Sequence, residues 1–480
     1  MNGGKNRMKE SLWKQTYENI LIGMGFVGIT LNFLFLNQIL PFIGVLLVIT
    51  GFRKLRRENQ WFQTGYAGAW LKVVITIVSI VLGAVLGHEE IYASYVWKVI
   101  AFCGGILPIV LMGCFYFGMR AELKKQNVNI NHEVLLHILI WYVVVVALAA
   151  WNYQGLILAL IILAAYIGIL VELKHIAEKL EEAGYILEEQ TVRISNGKCV
   201  GCAVVLTVAG LFSAYLFLDS YHMEWTMVKE SQDPVSEEIK DHLLSLGLPE
   251  DILNDLAEED LLECKNARQV FVERDDYPMN DGVEVVSGTE GYTQYSTEYP
   301  QKELKLSGAA IELEQKGQWK VIHHFRWNED PGFRGTESLQ IYPVYSGQKS
   351  GWTVNGGLTG QVLYEKNGTS YTADYAVLQN ENYNTRDGFP FYDMMEHSSI
   401  FAEFSMPRHG ENCRGYVAYE IKEKENDWWI DSWLNYTHQN TLVQYPVLSA
   451  AQSRKQGGVM DRRVFTTVQN ALQVLPGESN

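Results

Sequence analysis

The residues with the most chemical content in this 480-residue chain lie between positions 427 and 436. There Trp429, Asp431, Trp433 and Asn435 alternate with Trp428, Ile430 and Leu434. Alternate residues of a strand point to opposite faces. With Trp428, Ile430 and Leu434 in the core, Trp429, Asp431 and Trp433 stand outward as two indoles beside a carboxylate and an amide. That combination suits the flat face of a sugar ring or the anchor of a protein partner. The competing reading is that a later element covers them. Phe465, Val468, Leu472 and Leu475 recur at helical spacing, which predicts a closing amphipathic helix with an apolar face to bury.

Other residue sets carry weaker chemistry. Cys264 and Cys413 are the only cysteines after residue 219, and a disulfide between them would tie a helical segment to a late strand. Cys199 and Cys202 form a C-x-x-C pair without the two further ligands zinc needs, and Cys103 and Cys114 fall in an apolar run. Asp275, Asp276, Asp281 and Glu284 lack the spacing of a calcium loop, and Asp281-Gly282 reads as a turn. His323 and His324 are adjacent in an alternating segment, so they point to opposite faces and form no local metal site. No G-x-S-x-G, H-E-x-x-H or serine, histidine and aspartate set is present. No catalytic residue, metal or cofactor is therefore expected, and no carboxylate pair is singled out for glycoside hydrolysis.

The elements that position these residues follow from a split in composition. Residues 220–480 hold 41 Asp and Glu against 22 Lys and Arg, a net of −19, whereas residues 1–219 hold 14 against 17. An acidic surface of that size excludes nucleic acid as a partner, because phosphates are repelled. The first part carries seven apolar runs, at Ile20–Leu36, Ile39–Phe52, Trp70–Leu86, Val99–Met119, Val134–Trp151, Leu156–Val171 and Val200–Leu218. A run of about 20 apolar residues spans a bilayer. Ile39–Phe52 is the shortest, so Ile20–Phe52 reads as a tight helical hairpin, or as a re-entrant one.

Lys and Arg set the orientation. Fifteen lie in the N-terminal segment (Lys5, Arg7, Lys9, Lys14) and after the second, fourth and sixth runs. The alternate loops Asn37–Gln38, Gly87–Tyr95 and Asn152–Gly155 hold none. This places the N-terminus in the cytoplasm and residues 219–480 outside a cell membrane crossed several times. The first run lacks a cleavage site and reads as an anchor. The cytoplasmic segments are short, and the longest, Glu172–Lys198, reads as an amphipathic helix with Leu173, Ile176 and Leu180 on one face. Lys72, Lys98 and His137 lie near span ends, Asn32 is deeper but neutral, and no carboxylate lies near a midplane, which argues against an ion-coupled carrier. Pro108 cannot donate to the Gly104 carbonyl, so a kink is expected there. Gly23, Gly25 and Gly28 allow close helix approach.

The expected architecture is an α-helical polytopic membrane bundle of about seven spans (1–218), a linker (219–235), a helical cap (236–267) and an extracytoplasmic mainly-β domain (268–480). Nine alternating segments, from Gln269–Glu273 to Asp427–Tyr436, suggest an antiparallel β-sandwich. Hairpin turns are expected at Lys316-Gly317, Asn367-Gly368 and Lys424–Asn426, the last joining Gly415–Lys422 to Asp427–Tyr436. The leading functional expectation is a non-catalytic protein of the lipid bilayer. Its outer domain binds a glycan, another ligand or a protein partner in an envelope sensing or scaffolding role. The alternatives are a membrane subunit of a transport complex with a separate ATPase, and an extracytoplasmic glycan hydrolase.

Overall fold

A computed structural model of the protein describes residues 12–28, 36–125, 127, 133–150, 155–183, 187, 194–228, 234–289, 292–346, 350–387, 393–425, 428–456 and 464–476. Lys5, Arg7, Lys9, Asn32, Arg193 and Asn426 lie outside the described residues. The chain divides into two compact units between Leu216 and Phe217.

The first unit is helical: α1 (Leu12–Gly28), α2 (Leu36–Leu55), α3 (Gln60–Leu82), α4 (His88–Ala93), α5 (Tyr95–Lys125), α6 (Glu133–Ala150), α7 (Leu156–Glu182) and α8 (Asn196–Phe217). Four of these, α2, α3, α5 and α8, are long and apolar enough to cross a membrane. The other three expected spans coincide with α1, α6 and α7 but are shorter as apolar helices. α1 has 17 residues, and the apolar stretches of the other two run Leu136–Leu148 and Leu160–Leu173. The second expected span is longer than its sequence suggests, because Leu36, Asn37 and Gln38 are already helical and Pro41 sits within α2. Asn37–Gln38 is therefore not the connection between the first two helices.

Small residues and tyrosines hold this unit together. A Cβ on Gly23 would come within 2.7 Å of the Gly44 carbonyl, and one on Gly25 within 2.7 Å of the Tyr166 ring. These contacts realise the close approach expected of the α1 glycines. Tyr17 donates to the Leu173 carbonyl at 2.7 Å, Tyr166 to Leu21 at 2.7 Å, and Tyr142 to Met24. Each phenol spends its one polar group on a second helix, which satisfies it without water. Leu173 and Ile176 of α7 are buried in the same core. The Gly104 carbonyl freed by Pro108 is met by the Lys72 ammonium from α3 at 3.0 Å. Both lie about nine or ten residues, or some 15 Å, from the facing ends of α3 and α5. Lys72 is thus an internal hydrogen-bond donor rather than a chain that reaches a span end.

The second unit begins with β1 (Thr226–Met227), followed by α9 (Pro234–Ser245), α10 (Glu250–Leu253) and α11 (Glu258–Glu263). Then come β2 (Gln269–Tyr277), β3 (Val283–Thr289), β4 (Tyr292–Glu298), β5 (Leu304–Glu312), β6 (Gln318–Trp327), β7 (Thr336–Tyr342), β8 (Trp352–Lys366), β9 (Thr369–Ala373) and β10 (Val377–Asp387). The chain ends with β11 (Asp393–Ser405), β12 (Glu411–Glu423), β13 (Ile430–Gln439), α12 (Ala450–Lys455) and β14 (Phe465–Val474). All pairings are antiparallel. A seven-stranded sheet runs β1-β9-β8-β12-β6-β5-β2, a five-stranded sheet runs β10-β11-β7-β13-β14, and among the described residues β3 and β4 pair only with each other. The two large sheets share one core, in which Trp319, Phe325 and Ile421 of the first meet Leu339, Ile400, Leu434 and Leu472 of the second. The helices α9–α11 pack Ile239, Leu243, Ile252 and Leu261 on the opposite face of the seven-stranded sheet, against Ile322 and Ala418.

Several expectations change. The segment expected to close the fold as a helix is the edge strand β14, paired along its length with β13. Val468 and Leu472 are four apart, a spacing that fits a strand face as well as a helix face, and the β-branched pair Thr466-Thr467 favours the strand. β12 pairs with β6 and β8, while β13 lies in the other sheet, so the connection after Lys422 crosses between sheets and is not a hairpin turn. The expected linker is partly docked: β1 pairs with β9, Trp225 packs edge-on against Tyr364, and the Tyr221 amide donates to Ser405 at 2.8 Å. Asn367 and Gly368 both take positive φ, 54° and 73°, as the hairpin turn requires. Gly282, at φ 70°, likewise makes a turn of Asp281-Gly282, and Asp275 and Asp276 are not gathered around it into an oxygen cage.

Candidate functional site

The outward face of the five-stranded sheet carries the most distinctive chemistry. On β13 the strand begins at Ile430, so Asp431, Trp433 and Asn435 face outward and Ile430, Ser432 and Leu434 face the core. Trp433 stands between Tyr342 of β7 and Ala471 of β14 in the ladder. Ala471 places only a methyl group beside the indole on that side. Trp433 Nε1 donates to Asp431 Oδ1 at 2.8 Å, and Gln473 Nε2 donates to the same oxygen at 3.0 Å. Asp431 therefore fixes the ring and keeps its second oxygen for another partner.

The aromatic band continues across the sheet. Tyr383 of β10 stacks on His397 of β11 at 5.3 Å, and Gln340 Nε2 donates to the Tyr383 hydroxyl at 2.5 Å. Burial pushes the Tyr383 phenol up to about 12, so it stays protonated and available as a donor. Amides lie between the rings. Gln469 donates to Asn435 at 2.9 Å, Asn435 donates to Gln340 at 3.3 Å, and Arg454 from α12 donates to Gln340 at 3.0 Å. α12 covers the far side of this face, where Lys455 pairs with Glu381 at 2.6 Å and lies over the Phe401 ring. The site is thus half-roofed: a polar cluster under α12 and an open strip at Trp433, Asp431 and Gln473.

The three sequence-predicted residues are not equivalent. Trp429 is 53% exposed and precedes the strand, with its main chain pinned by Trp352 Nε1 at 3.0 Å. Trp433 is half-buried and Asp431 is exposed. Trp428 is not a core residue: it also precedes β13, is 37% exposed, and lies flat against Gly351, where a Cβ would come within 2.3 Å of its ring. The large buried indole in that corner is Trp352. The partners Tyr342, Tyr383, Gln340 and Gln473 lie on three other strands. Pairing between strands distant in sequence assembles them, and the only local signal was the alternation of β13.

Cys264 and Cys413 are both free thiols. The expected disulfide is not formed because Cys264 packs under the helices and Cys413 packs between the two sheets, with the seven-stranded sheet separating them. His323 and His324 do part to opposite faces. His323 meets Ser432 at 2.8 Å inside the core, where burial pushes its imidazole down to about 3. His324 meets Asp255 at 2.8 Å beneath the helical cap.

That cap is bound by buried charge. Asp255 accepts from His324 and from Arg414 Nε at 2.7 Å. Burial pushes its carboxyl up, and His324 and Arg414 more than offset this, so it is held below the ordinary carboxylate range. Lys320 pairs with Asp260 at 2.6 Å and with Glu263, and Tyr416 donates to Asp260. At one end of the domain Asp330, Glu365 and Glu411 line a cleft of about 330 Å³ with Arg326 and Asn412. Burial and the Glu411 charge raise the Asp330 carboxyl, against the lowering pull of Arg334. Glu365 is held by Asn412 at 2.7 Å and by Arg414 at 3.1 Å.

Among the described residues no cluster of three or more His, Cys, Asp or Glu side chains could hold a metal ion. No protein-family model and no curated protein matches this chain.

Proposed function

We propose that the protein is a non-catalytic, multi-pass protein of the cell membrane whose extracytoplasmic β-sandwich captures a glycan on the Trp433 strip. In this reading the chain crosses the bilayer seven times, with α1, α6 and α7 as short spans that share a core with α2, α3 and α5. The N-terminus is cytoplasmic and the protein senses or scaffolds at the envelope. The observation that carries the ligand assignment is the combination at Trp433. A half-buried indole with only an alanine on one side is hydrogen-bonded to a carboxylate that Gln473 also holds, with Tyr342 across the ladder. Sugar rings are recognised by this pairing of a flat apolar face with in-plane hydrogen-bond groups.

The test uses the full chain in a detergent without a sugar headgroup and a panel of neutral and amino-sugar oligosaccharides, read by indole fluorescence. Trp433→Ala is expected to weaken capture by about 2 kcal/mol or more, roughly thirtyfold, with a melting temperature lowered by no more than about 4 °C. Equal binding by wild type and variant, or no binding by wild type across the panel, overturns the reading.

The end cleft favours a second reading, hydrolysis of envelope glycans. A carboxyl raised by burial beside a second carboxylate is the arrangement a glycosidase uses as acid and base. Release of reducing ends by the wild type, abolished in Asp330→Asn, would establish it. Capture without turnover removes it.

A further inference from the structure

The β3–β4 hairpin belongs to neither large sheet. Among the described residues its strands pair only with each other, from Val283 opposite Glu298 to Thr289 opposite Tyr292. Its base is firmly held: Glu303 accepts from the Met279 amide at 2.8 Å and from the Asn280 side chain, and Asn280 in turn accepts from the Gly282 amide at 2.7 Å. An isolated two-stranded hairpin is marginal in water, so a rigid base under an unpaired arm calls for a reason.

Its surface suggests one. Val286 and Tyr295 face each other across the ladder and are 60% and 66% exposed. Val283 and Tyr299 are exposed as well. An aromatic beside a β-branched residue is a stabilising cross-strand pair, but here its far side faces solvent. The charges are one-sided. Between Arg274 and Lys302 there are six carboxylates, at Asp275, Asp276, Asp281, Glu284, Glu290 and Glu298, and no Lys or Arg. Glu284 lies on the same hairpin face as Val286 and Tyr295, two residues along.

We propose that this hairpin is a docking arm for a basic polypeptide strand that alternates Lys or Arg with aliphatic residues. The aliphatic side chains lie on Val286 and Tyr295 with Glu284 at the end of that face, the alternate cations point to the opposite face, where Glu298 stands across from Val283, and the free edges of β3 and β4 offer main-chain groups for strand addition. Charge selects this occupant. A second copy of the same chain would bring the same acidic arm and an acidic domain against it, and an anionic lipid surface would repel it.

The experiment uses the full chain in detergent and three sixteen-residue probes: alternating Lys-Val, alternating Lys-Ser and alternating Glu-Val peptides. Binding is measured at two salt concentrations. The Lys-Val peptide is expected to bind at least about tenfold more tightly than Lys-Ser, and Glu-Val not at all. Val286→Ser with Tyr295→Ser should abolish the preference for Lys-Val. Glu284→Gln with Glu298→Gln should weaken both lysine peptides about tenfold, whereas Glu238→Gln with Asp241→Asn on α9 should change neither by more than about twofold. Excision of 284–297 serves as the second variant if the point changes disturb folding, and should remove the preference. Equal binding of Lys-Val and Lys-Ser, equal losses from the α9 control pair, or no binding of Lys-Val overturns the proposal.

Discussion

Single side chains in the sheet-rich unit divide by what their loss would remove. Trp429→Ala and Trp433→Ala delete rings that are wholly or partly open, so each should shift stability by no more than about 1 kcal/mol. Trp352→Ala, which empties a closed corner, should cost about 3–5 kcal/mol. Trp428 rests on Gly351 without being enclosed and should fall between. Unfolding midpoints of the four variants check this order. Two buried groups set the acid limit of the fold. The His323 imidazole, pushed down to about 3, stays neutral while the unfolded chain takes up a proton near pH 6.5. The unfolded state then binds one more proton, so stability falls as pH drops from about 6.5 toward 3, by about 1.4 kcal/mol per unit. Asp255, held below its ordinary value, adds stability that is present above about pH 4 and lost as pH falls through its lowered folded value. His323→Gln should flatten the first limb and leave the second. Asp255→Asn should remove the second and cost about 3 kcal/mol at neutral pH, because Arg414 and His324 lose their anion. Near-UV dichroism melts between pH 3 and 7 separate the two.

Elements show where local reasoning succeeds and where it fails. In α5 the sequence marks the defect at Pro108, and the structure supplies its repair from Lys72. Lys72→Met should destabilise the helical unit by about 1–3 kcal/mol by leaving a buried carbonyl unpaired. Pro108→Ala restores the N–H that this carbonyl lacks, so the double variant should recover most of the loss. Thermal melts of the four proteins in detergent complete the cycle, and simple addition of the two effects would mean that the contact is idle. The repair was not legible because it joins α3 to α5 across 32 residues, and no periodicity encodes that meeting. Period-two segments such as Gln318–Trp327 and Lys305–Glu312 were legible because the face between the sheets is mostly apolar, while the face under α9–α11 mixes in polar groups such as Lys320 and His324. β14 was not, since a four-residue spacing is shared by both periods. The β3–β4 hairpin escaped as well, because no core imposes an alternation on it. Of the candidate site, the sequence contained Asp431 and Trp433 as an alternating pair. Tyr342, Tyr383 and Gln473 depend on sheet order, which only long-range pairing decides.

At the scale of the molecule, composition and fold divide at the same place. The acidic half coincides with the sheet-rich unit and the apolar half with the helical one. A fragment of residues 218–480 should be soluble and unfold cooperatively, since its two sheets enclose their own core. A fragment of 228–480 should melt lower, because it removes β1 together with the contacts of Tyr221 and Trp225. Calorimetry of the pair tests both statements. For the orientation proposed above, a reporter active only in the cytoplasm should work when fused after Arg57 or Lys125 and fail after Ser220. Activity after Ser220 would reverse the orientation and remove the envelope reading.

The two free thiols of the sheet-rich unit also give it a pair of internal clocks. Cys264 is sealed only by the small helices and the charges beneath them, whereas Cys413 is sealed between the two large sheets. Burial pushes Cys264 up to about 12 and raises Cys413 as well, so neither reacts with an alkylating reagent until its cover opens. Cys264 then records how often the cap lifts from an otherwise intact domain, and Cys413 records global opening. The ratio of their labelling rates gives the difference between the free energies of global opening and cap release, and comparison of the Cys264 rate with that of the unfolded chain gives cap release itself. A ligand that engaged the cap would slow the first clock without touching the second, so the native chain can report such a ligand without an added label.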